Sequence, residues 1–397
     1  MPGDRFMILL LGALSAALAM GYGVLFTVVG DYRAAYGISD TQVGIIIGLG
    51  FLSAFVAQVF LAPIADRGRA RMLVVVGVLV NVAGLLAMGF GEDFATITAG
   101  RLVSGIGIGA ATPAIRRIVV LADPVNLGRN LGWLLSADVL GFALGPAVSA
   151  LLVGPLGLAA PFAVVAVAST VLVVFALRVD VHETTDFTAK RLAFDLLRVR
   201  PVAGAVVLGA SAFLMIGAFD ALWDVVHEDL ETPLWMANLG ITLFAIPLIV
   251  LGPIGGRYAQ RVGPFPLAAW GLVAGAMFMT IYGLVPTGTW IFGMSIAHSL
   301  TDGFTIAASG VAISMAVPED RQAGAQGVLG AAQALAGGIA AIAIGATYDQ
   351  FGRATAYGAA AVAMTALLVI GMALAAPAWS LRSRQDTSPE AASTPVG

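Results

Sequence analysis

The sequence has no cysteine, a single lysine (Lys190) and few charged side chains. Without cysteine the chain forms no disulfide, no thiolate nucleophile and no cysteine metal site. Charged residues are 11% of the 397 residues, whereas a soluble protein carries about a quarter. The net charge of −3 is uninformative, but no basic patch is present, so no nucleic-acid partner is expected. No nucleotide-binding motif or metal-ligand cluster occurs, so we expect no cofactor, no metal and no enzyme activity.

The chain is instead rich in long apolar stretches: 59% of its residues are hydrophobic and its mean hydropathy is +0.95. A bilayer core of ~30 Å needs ~20 apolar residues in a helix, and barrel strands would be shorter and would alternate in polarity. The predicted fold class is therefore an all-α membrane protein with twelve transmembrane helices. The stretches are 6–30, 41–65, 72–91, 94–122, 131–154, 158–178, 202–226, 235–256, 265–285, 289–317, 324–348 and 355–376.

A short repeat divides these stretches into two halves. LAPIADR at residues 61–67 and LGPIGGR at residues 251–257 each close the second apolar stretch of their half. The predicted domains are residues 1–178, a linker at 179–201, residues 202–378, and a polar, disordered cytoplasmic tail at 379–397. The linker is either a plain tether or a basic amphipathic helix on the membrane surface. A duplicated unit of this kind favours a machine that moves one half against the other.

Arginine placement predicts the orientation of the spans. With the N-terminus in the cytoplasm, most basic residues lie on the cytoplasmic side, and only Arg33 and Arg353 lie outside. Both termini are then cytoplasmic, and we expect a multi-pass protein of the inner (plasma) membrane that works as a monomer in the lipid bilayer.

The loop after the second span places Asp66 before three arginines, Arg67, Arg69 and Arg71, with Gly68 between them. Asp66 is expected to pair with the positive N-terminus of a neighbouring helix. The arginines are expected to reach an acid such as Asp123 and to hold the halves together on the inner side. The alternative is that the arginines only set the topology, which does not explain Asp66 or Gly68.

Spans four and five carry residues that are unusual within a bilayer. Arg101 lies inside span four, where an arginine must be paired or hydrated, or else must extend outward to the headgroups. In span five, Gly141 and Gly145 share one face, and Pro146 bends the helix. Ordinary tight helix packing is the alternative explanation for the two glycines.

Several titratable side chains also lie within spans. Asp138 is about two turns inside the cytoplasmic end of span five, and the matching residue of the second half is Gln333. His298 and Asp302 are spaced i, i+4 on one face of span ten, a composition suited to binding a proton. Asp220 lies near the outer boundary of span seven. The proton-coupling candidates are His298, Asp302, Asp138, Asp220 and Arg101. The alternative for the His298–Asp302 pair is a satisfied polar contact inside the bundle.

The loop at Asp66 resembles the signature G-x-x-x-D-R-x-G-R-[RK] of the major facilitator superfamily. The match comprises Asp66, Arg67, Gly68 and Arg69, but Ala62 stands at the first glycine and Gly68 arrives one residue early. The copy at residues 251–257 has no acid. The resemblance therefore implies one full latch, in the N-terminal half.

Two further segments resemble motifs of this family. The Arg101 segment is similar to the R-x-x-x-G motif of span four, which occurs in proton-coupled members. The segment from Gly141 to Pro146 is similar to the antiporter motif G-x-x-x-G-P-x-x-G-G, although Ser149 and Ala150 replace the closing pair. The resemblance implies two pseudo-symmetric six-helix bundles around a central cavity lined by spans 1, 4, 7 and 10.

These likenesses predict a proton-coupled transporter that exports a small amphipathic or drug-like molecule by alternating access. Candidate cavity residues are Tyr22, Phe142, Trp223 and Gln333. Two alternatives remain. One is a symporter or uniporter that imports a sugar, an amino acid or a cation, and the other is a membrane sensor, which would need a signalling domain that the chain does not show.

Overall fold

The computed structural model describes residues 2–178 and 192–382, and within these ranges it contains helices and no strands. The segment 179–191 and the tail 383–397, which include Lys190 and most of the predicted linker and tail, lie outside the described residues. The described part of the chain holds eleven α-helices: α1 (Pro2–Tyr36), α2 (Asp40–Ile64), α3 (Ala70–Phe90), α4 (Phe94–Ala122), α5 (Leu127–Leu156), α6 (Ala159–Ala176), α7 (Arg200–Asp229), α8 (Leu234–Val262), α9 (Pro264–Leu284), α10 (Gly288–Met315) and α11 (Gln322–Ala375).

The last helix is two helices joined at Gly352. This residue has φ 77° and ψ 176°, a conformation that a side chain would strain, and it separates an arm at 322–351 from an arm at 353–375. The described residues thus form twelve helical segments, and the prediction of an all-α fold with twelve helices is confirmed. Within residues 2–178 and 192–382, nine stretches are long and apolar enough to cross a membrane, and two of them, 42–90 and 319–378, each hold two helices.

Helix ends are set by local sequence. α2 starts with a capping box, in which Ser39 accepts from the backbone of Gln42 and the Gln42 side chain accepts from the backbone of Ser39. α4 starts at Asp93, whose carboxylate accepts from the backbone N–H of Thr96 at 2.9 Å. Hydrogen bonds to Thr96 lower the pKa of this exposed Asp93 carboxyl. These caps fix the connections at the end of the molecule opposite Asp66.

The helices pack as two bundles of six. In the first, α1 packs on α5 and α6, and α3 packs on α4 and α6, while α2 lies against α4. In the second, α7 packs on α11, α8 and α9 pack on α10, and α9 also packs on α11. The two bundles meet mainly where α5 contacts α8 and where α2 contacts α11. These two contacts are equivalent when the halves are exchanged, as a duplicated unit requires.

The end of the linker lies within the described residues. Residues Ala193–Arg198 form a 3-10 helix rather than part of an amphipathic α-helix. Ala193 and Leu196 are buried, whereas Phe194 and Leu197 are exposed. Asp195 forms two hydrogen bonds with Arg321, at 2.7 and 3.0 Å, directly before α11. The linker therefore reaches the second bundle beside the first turn of α11.

Candidate functional site

Asp66 lies at the turn between α2 and α3, and its side chain is 1% exposed. One carboxylate oxygen accepts from Arg117 Nε of α4 at 3.0 Å and from the backbone N–H of Ala323 at 2.9 Å. The other oxygen accepts from the backbone N–H of Gly324 at 2.7 Å. We call Asp66, Arg117, Ala323 and Gly324 the Asp66 latch, and the end of the molecule that holds it the Asp66 end.

The latch combines a helix dipole with an ion pair. Ala323 and Gly324 are in the first turn of α11, where unsatisfied N–H groups attract an anion. Gly68 adopts φ 72°, so the chain turns sharply enough after Asp66 to start α3. Sequence reasoning anticipated a helix N-terminus as partner but did not assign Arg117. The two adjacent arginines near the end of span four were the available signal.

The loop arginines do not meet Asp123 as predicted. Asp123 pairs instead with Arg129 of α5, at 3.7 Å, and accepts hydrogen bonds from Asn126 and Asn130. It caps the turn before α5, so its oxygens are already taken. Of the three predicted arginines, Arg69 is exposed and Arg67 and Arg71 are half-buried.

At the Asp66 end, α5 and α8 also make close contact. A Cβ added at Gly128 would clash with the carbonyl oxygen of Gly256, and one at Gly132 would clash with that of Gly252. Beside them, the backbone N–H of Gly128 donates to Gln260 Oε1 at 2.8 Å. With the latch, this backbone contact closes the Asp66 end.

Arg101 is only 3% exposed and lies inside the first bundle. Its guanidinium lies over the ring of Tyr22, 4.6 Å from the centroid, and 5.9 Å from that of Phe51. It also lies directly over Gly50, where any side chain would clash with it. The cation is thus stabilised by aromatic faces.

Four aromatic rings form a cluster on α1, α2 and α5. The Tyr22 ring centroid lies 4.7 Å from that of Phe26, 5.3 Å from that of Phe51 and 5.7 Å from that of Phe142. Phe26 is 44% exposed, and the other three are half-buried. The exposed Asp220 of α7 acts electrostatically on Tyr22. The cluster therefore faces the other bundle, and we call these rings the aromatic cluster.

The predicted antiporter-like segment packs α5 against α1. A Cβ at Gly141 would clash with the carbonyl oxygen of Ala16, and one at Gly145 would clash with the backbone of Gly23. Pro146 is exposed one residue later. The segment places Phe142 beside Tyr22 and so shapes the aromatic cluster.

Asp138 of α5 contacts polar side chains of its own bundle. It accepts a hydrogen bond from Ser15 of α1 and lies 3.9 Å from Arg116 of α4. The side chains of Arg116 and Asp138 are 25% and 27% exposed. Arg116 also donates to Gln326 Oε1 of α11 at 3.4 Å, across the boundary between the bundles. Sequence reasoning did not single out Ser15, Arg116 or Gln326.

His298 and Asp302 lie on one face of α10, as their spacing predicts, and both are buried. His298 Nε2 is 3.4 Å from Asp302 Oδ1, and the Tyr282 hydroxyl is 3.0 Å from His298 Nδ1. The rings of Phe219, Phe244 and Phe278 surround the imidazole. The pair therefore faces α7, α8 and α9 of its own bundle.

Two predicted cavity residues do not line an open surface. Trp223 is 1% exposed and packs against Phe219 and His227, with Gly240 directly over it. Gln333 is also buried, and its amide lies 3.5 Å from Ser309 Oγ. Both side chains turn into the second bundle. In residues 2–178 and 192–382, no group of three or more histidine or acidic side chains is placed to hold a metal ion.

Comparison with known proteins identifies the class. The Major Facilitator Superfamily profile matches residues 10–237 and 206–395, which together span most of the chain. The chain therefore belongs to the Major Facilitator Superfamily and is a multi-pass membrane transporter, not an enzyme.

Among curated proteins, the quinolone resistance protein NorA of Staphylococcus aureus is 19% identical over 369 residues, covering 88% of this chain and 92% of NorA. Among solved structures, the human organic anion transporter MFSD10 has a TM-score of 0.76 and 16% identity, covering 94% of this chain and 100% of that one. The proton:xylose symporter XylE has a TM-score of 0.75 and 12% identity, covering 93% and 95%. At these identities the structural likeness shows the fold alone.

Proposed function

We propose that the protein is a proton-coupled exporter of small amphipathic molecules that works by alternating access. The aromatic cluster is the observation that carries the proposal. Its half-exposed rings offer apolar area and π-faces to a flat or amphipathic molecule. A sugar site would need many convergent hydrogen-bonding groups, and the residues that the cluster presents are phenylalanines and one tyrosine. The likeness to a quinolone resistance protein supports the same cargo class.

Alternating access is supported by the way the bundles meet. The Asp66 latch and the glycine contact between α5 and α8 hold the halves together at one end. Both contacts are small and polar or backbone-mediated, so they can form and break as rigid bundles rock. The arginine distribution supports a cytoplasmic location for the Asp66 end and for both termini, in the plasma membrane.

Proton coupling is proposed from titratable groups that are buried or half-buried in the bundles, together with the exposed Asp220. Four of these groups lie in or beside the membrane-spanning part: Asp138, Asp220, Asp302 and His298. A charged carboxylate is energetically costly there, and binding a proton removes that cost. Arg101 supplies a fixed positive charge beside the aromatic cluster. Protons and a small-molecule cargo are thus the proposed partners, and the working unit is proposed to be a monomer.

A transport screen in proteoliposomes tests the proposal. Fluorescent amphipathic compounds, sugars and amino acids are offered under imposed pH gradients of both signs. We expect gradient-driven movement of amphipathic compounds that is lost when an ionophore collapses the gradient. Gradient-driven movement of a sugar or an amino acid, with none of the amphipathic compounds moved, would instead establish the importer alternative.

A further inference from the structure

A chain of polar contacts crosses the boundary between the two bundles near the Asp66 end. It runs from Ser15 of α1 to Asp138 of α5, then to Arg116 of α4, and on to Gln326 of α11. Gln326 is itself held by Ser314 Oγ at 2.8 Å and by the carbonyl oxygen of Gly310 at 3.1 Å, both on α10. A carboxylate in one bundle is therefore linked through one guanidinium to an anchored amide in the other.

We propose that Asp138 and Arg116 form a proton-operated switch, in which protonation of Asp138 frees Arg116 from Gln326 and opens the Asp66 end. This inference rests on the proposed proton coupling and names the group that performs it. Arg116 is the positioning residue, because it conveys the charge state of Asp138 to the opposite bundle.

The direction of the switch follows from the charge of Arg116. While Asp138 is ionised, Arg116 has a counter-ion and can remain against Gln326. Once Asp138 is neutral, the Arg116 guanidinium is left with the neutral Gln326 amide, 3.4 Å away. That contact does not offset the free-energy cost of keeping the guanidinium out of water. Arg116 is six residues from the end of α4, or ~9 Å. Separation of the bundles at that end would therefore rehydrate it.

Few charged groups of the described residues act on Asp138, so its own protonation state determines whether Arg116 has a counter-ion. Arg116 on α4 is the charged group that faces it, and the Ser15 hydroxyl on α1 is its hydrogen-bond donor. From α6, α8 and α10, the described residues contribute no charged group that acts on Asp138. Asp302, by contrast, faces its own bundle, and Asp220 acts on it from α7.

Because the sequence has no cysteine, a single introduced cysteine can be labelled without background from other thiols. A single Ala62→Cys substitution places a thiol on α2 where Ala62 is fully buried against Gly327 of α11. The purified protein is treated with a bulky water-soluble maleimide over a range of pH. Because maleimide reacts with the thiolate, each labelling rate is divided by that of an exposed reference thiol, Glu92→Cys, at the same pH, and this relative rate reports opening of the Asp66 end. We expect the relative rate to rise about tenfold from mildly alkaline to mildly acidic pH, which corresponds to ~1.4 kcal/mol of bias.

Three further substitutions in this reporter identify the switch. Asp138→Asn should label fast at every pH, because Arg116 has permanently lost its counter-ion. Gln326→Glu should label slowly at every pH, because the new carboxylate retains Arg116. Glu92→Gln, the same change at an exposed site in the loop before α4, is the matched control and should follow the parent curve.

Several results would overturn the switch. They are a parent rate that does not vary with pH, an Asp138→Asn curve that still follows the parent, and a Gln326→Glu curve identical to the parent. If Asp138→Asn does not fold, Asp138→Glu replaces it and must move the midpoint of the curve; an unmoved midpoint overturns the proposal. Transport is measured separately. If the labelling rate responds to pH but export is not driven by protons, the proposed function is contradicted and the switch is supported. If export is driven by protons but the labelling rate does not respond to pH, only the switch is contradicted.

Discussion

At the residue scale, Asp66 joins three parts of the chain with one carboxylate. It follows α2, pairs with Arg117 of α4 and accepts two backbone hydrogen bonds from the first turn of α11. Its partners belong to both bundles, so its charge stabilises only the arrangement in which the Asp66 end is closed. Arg117 is fully buried, and its ion pair with this carboxylate compensates its charge.

Asp66→Asn is expected to slow transport more than it weakens cargo binding. The amide keeps the size of the side chain but removes the ion pair with Arg117, and breaking a buried ion pair costs ~3–5 kcal/mol. The aromatic cluster lies elsewhere, so cargo affinity should change little. Cargo affinity and transport rate are measured on the same preparation. A large loss of affinity at an unchanged rate would show that the latch acts on the cargo site instead.

Asp302→Asn is expected to preserve or raise thermal stability. Asp302 Oδ1 is buried and accepts no hydrogen bond within the described part of the chain, although His298 Nε2 lies 3.4 Å away. A buried acceptor without a hydrogen bond costs ~1–3 kcal/mol. The neutral amide has nearly the same shape and can donate toward His298. Thermal unfolding in detergent, with Glu92→Gln as an exposed control, measures the change. A drop of many degrees in Tm would mean that the carboxylate is needed for packing.

At the scale of elements, the contact of α5 with α8 depends on the absence of side chains. Gly128 and Gly132 face Gly256 and Gly252 backbone to backbone. Such close approach gives dispersion contacts over the whole helix face without interlocking side chains. Apart from the Gln260 and Ser136 side chains, which form hydrogen bonds across this contact, the two helices can therefore part and meet again without rotamer changes.

Gly132→Val is expected to hold the Asp66 end open. Its Cβ would meet the carbonyl oxygen of Gly252, and helical backbone cannot yield as a side chain can. With the Ala62→Cys reporter, labelling should become fast and should lose most of its dependence on pH. Gly154→Val in the same helix is the control, because a Cβ there has nothing within 4 Å. Equal labelling of the two variants would show that this contact does not close the molecule.

The sequence predicted the helices well and the side-chain contacts less well, for a physical reason. Hydropathy alone defines twelve helices, and a Gly-Arg-rich turn beside an acid marks the latch. The face of a helix that points inward depends on how the helix is rotated about its own axis. The sequence of a helix that is apolar on all sides, such as α7, does not reveal that rotation. Trp223 was therefore expected in the cavity and is buried instead. Asp66 and Arg117 are 51 residues apart in the sequence, and no local pattern specifies a pairing over that separation.

At the scale of the whole molecule, two similar bundles are joined by contacts that lie at the Asp66 end. The aromatic cluster lies on the face of one bundle that is turned toward the other, with Arg101 beneath it and Asp220 opposite. Proton binding near the boundary and cargo binding at the cluster thus act on one rigid-body equilibrium. A transporter built in this way exchanges protons for cargo if each favours a different arrangement of the bundles.

The direction of cargo accumulation in sealed proteoliposomes tests proton-coupled export most directly. An amphipathic compound of fixed charge is used, so that passive partitioning does not follow the pH, and protein-free liposomes serve as the control. Exchange of protons for cargo predicts accumulation in the acidic compartment, reversal when the gradient is reversed, and no accumulation when it is collapsed. Accumulation in the alkaline compartment, or accumulation that persists without any gradient, would contradict the account.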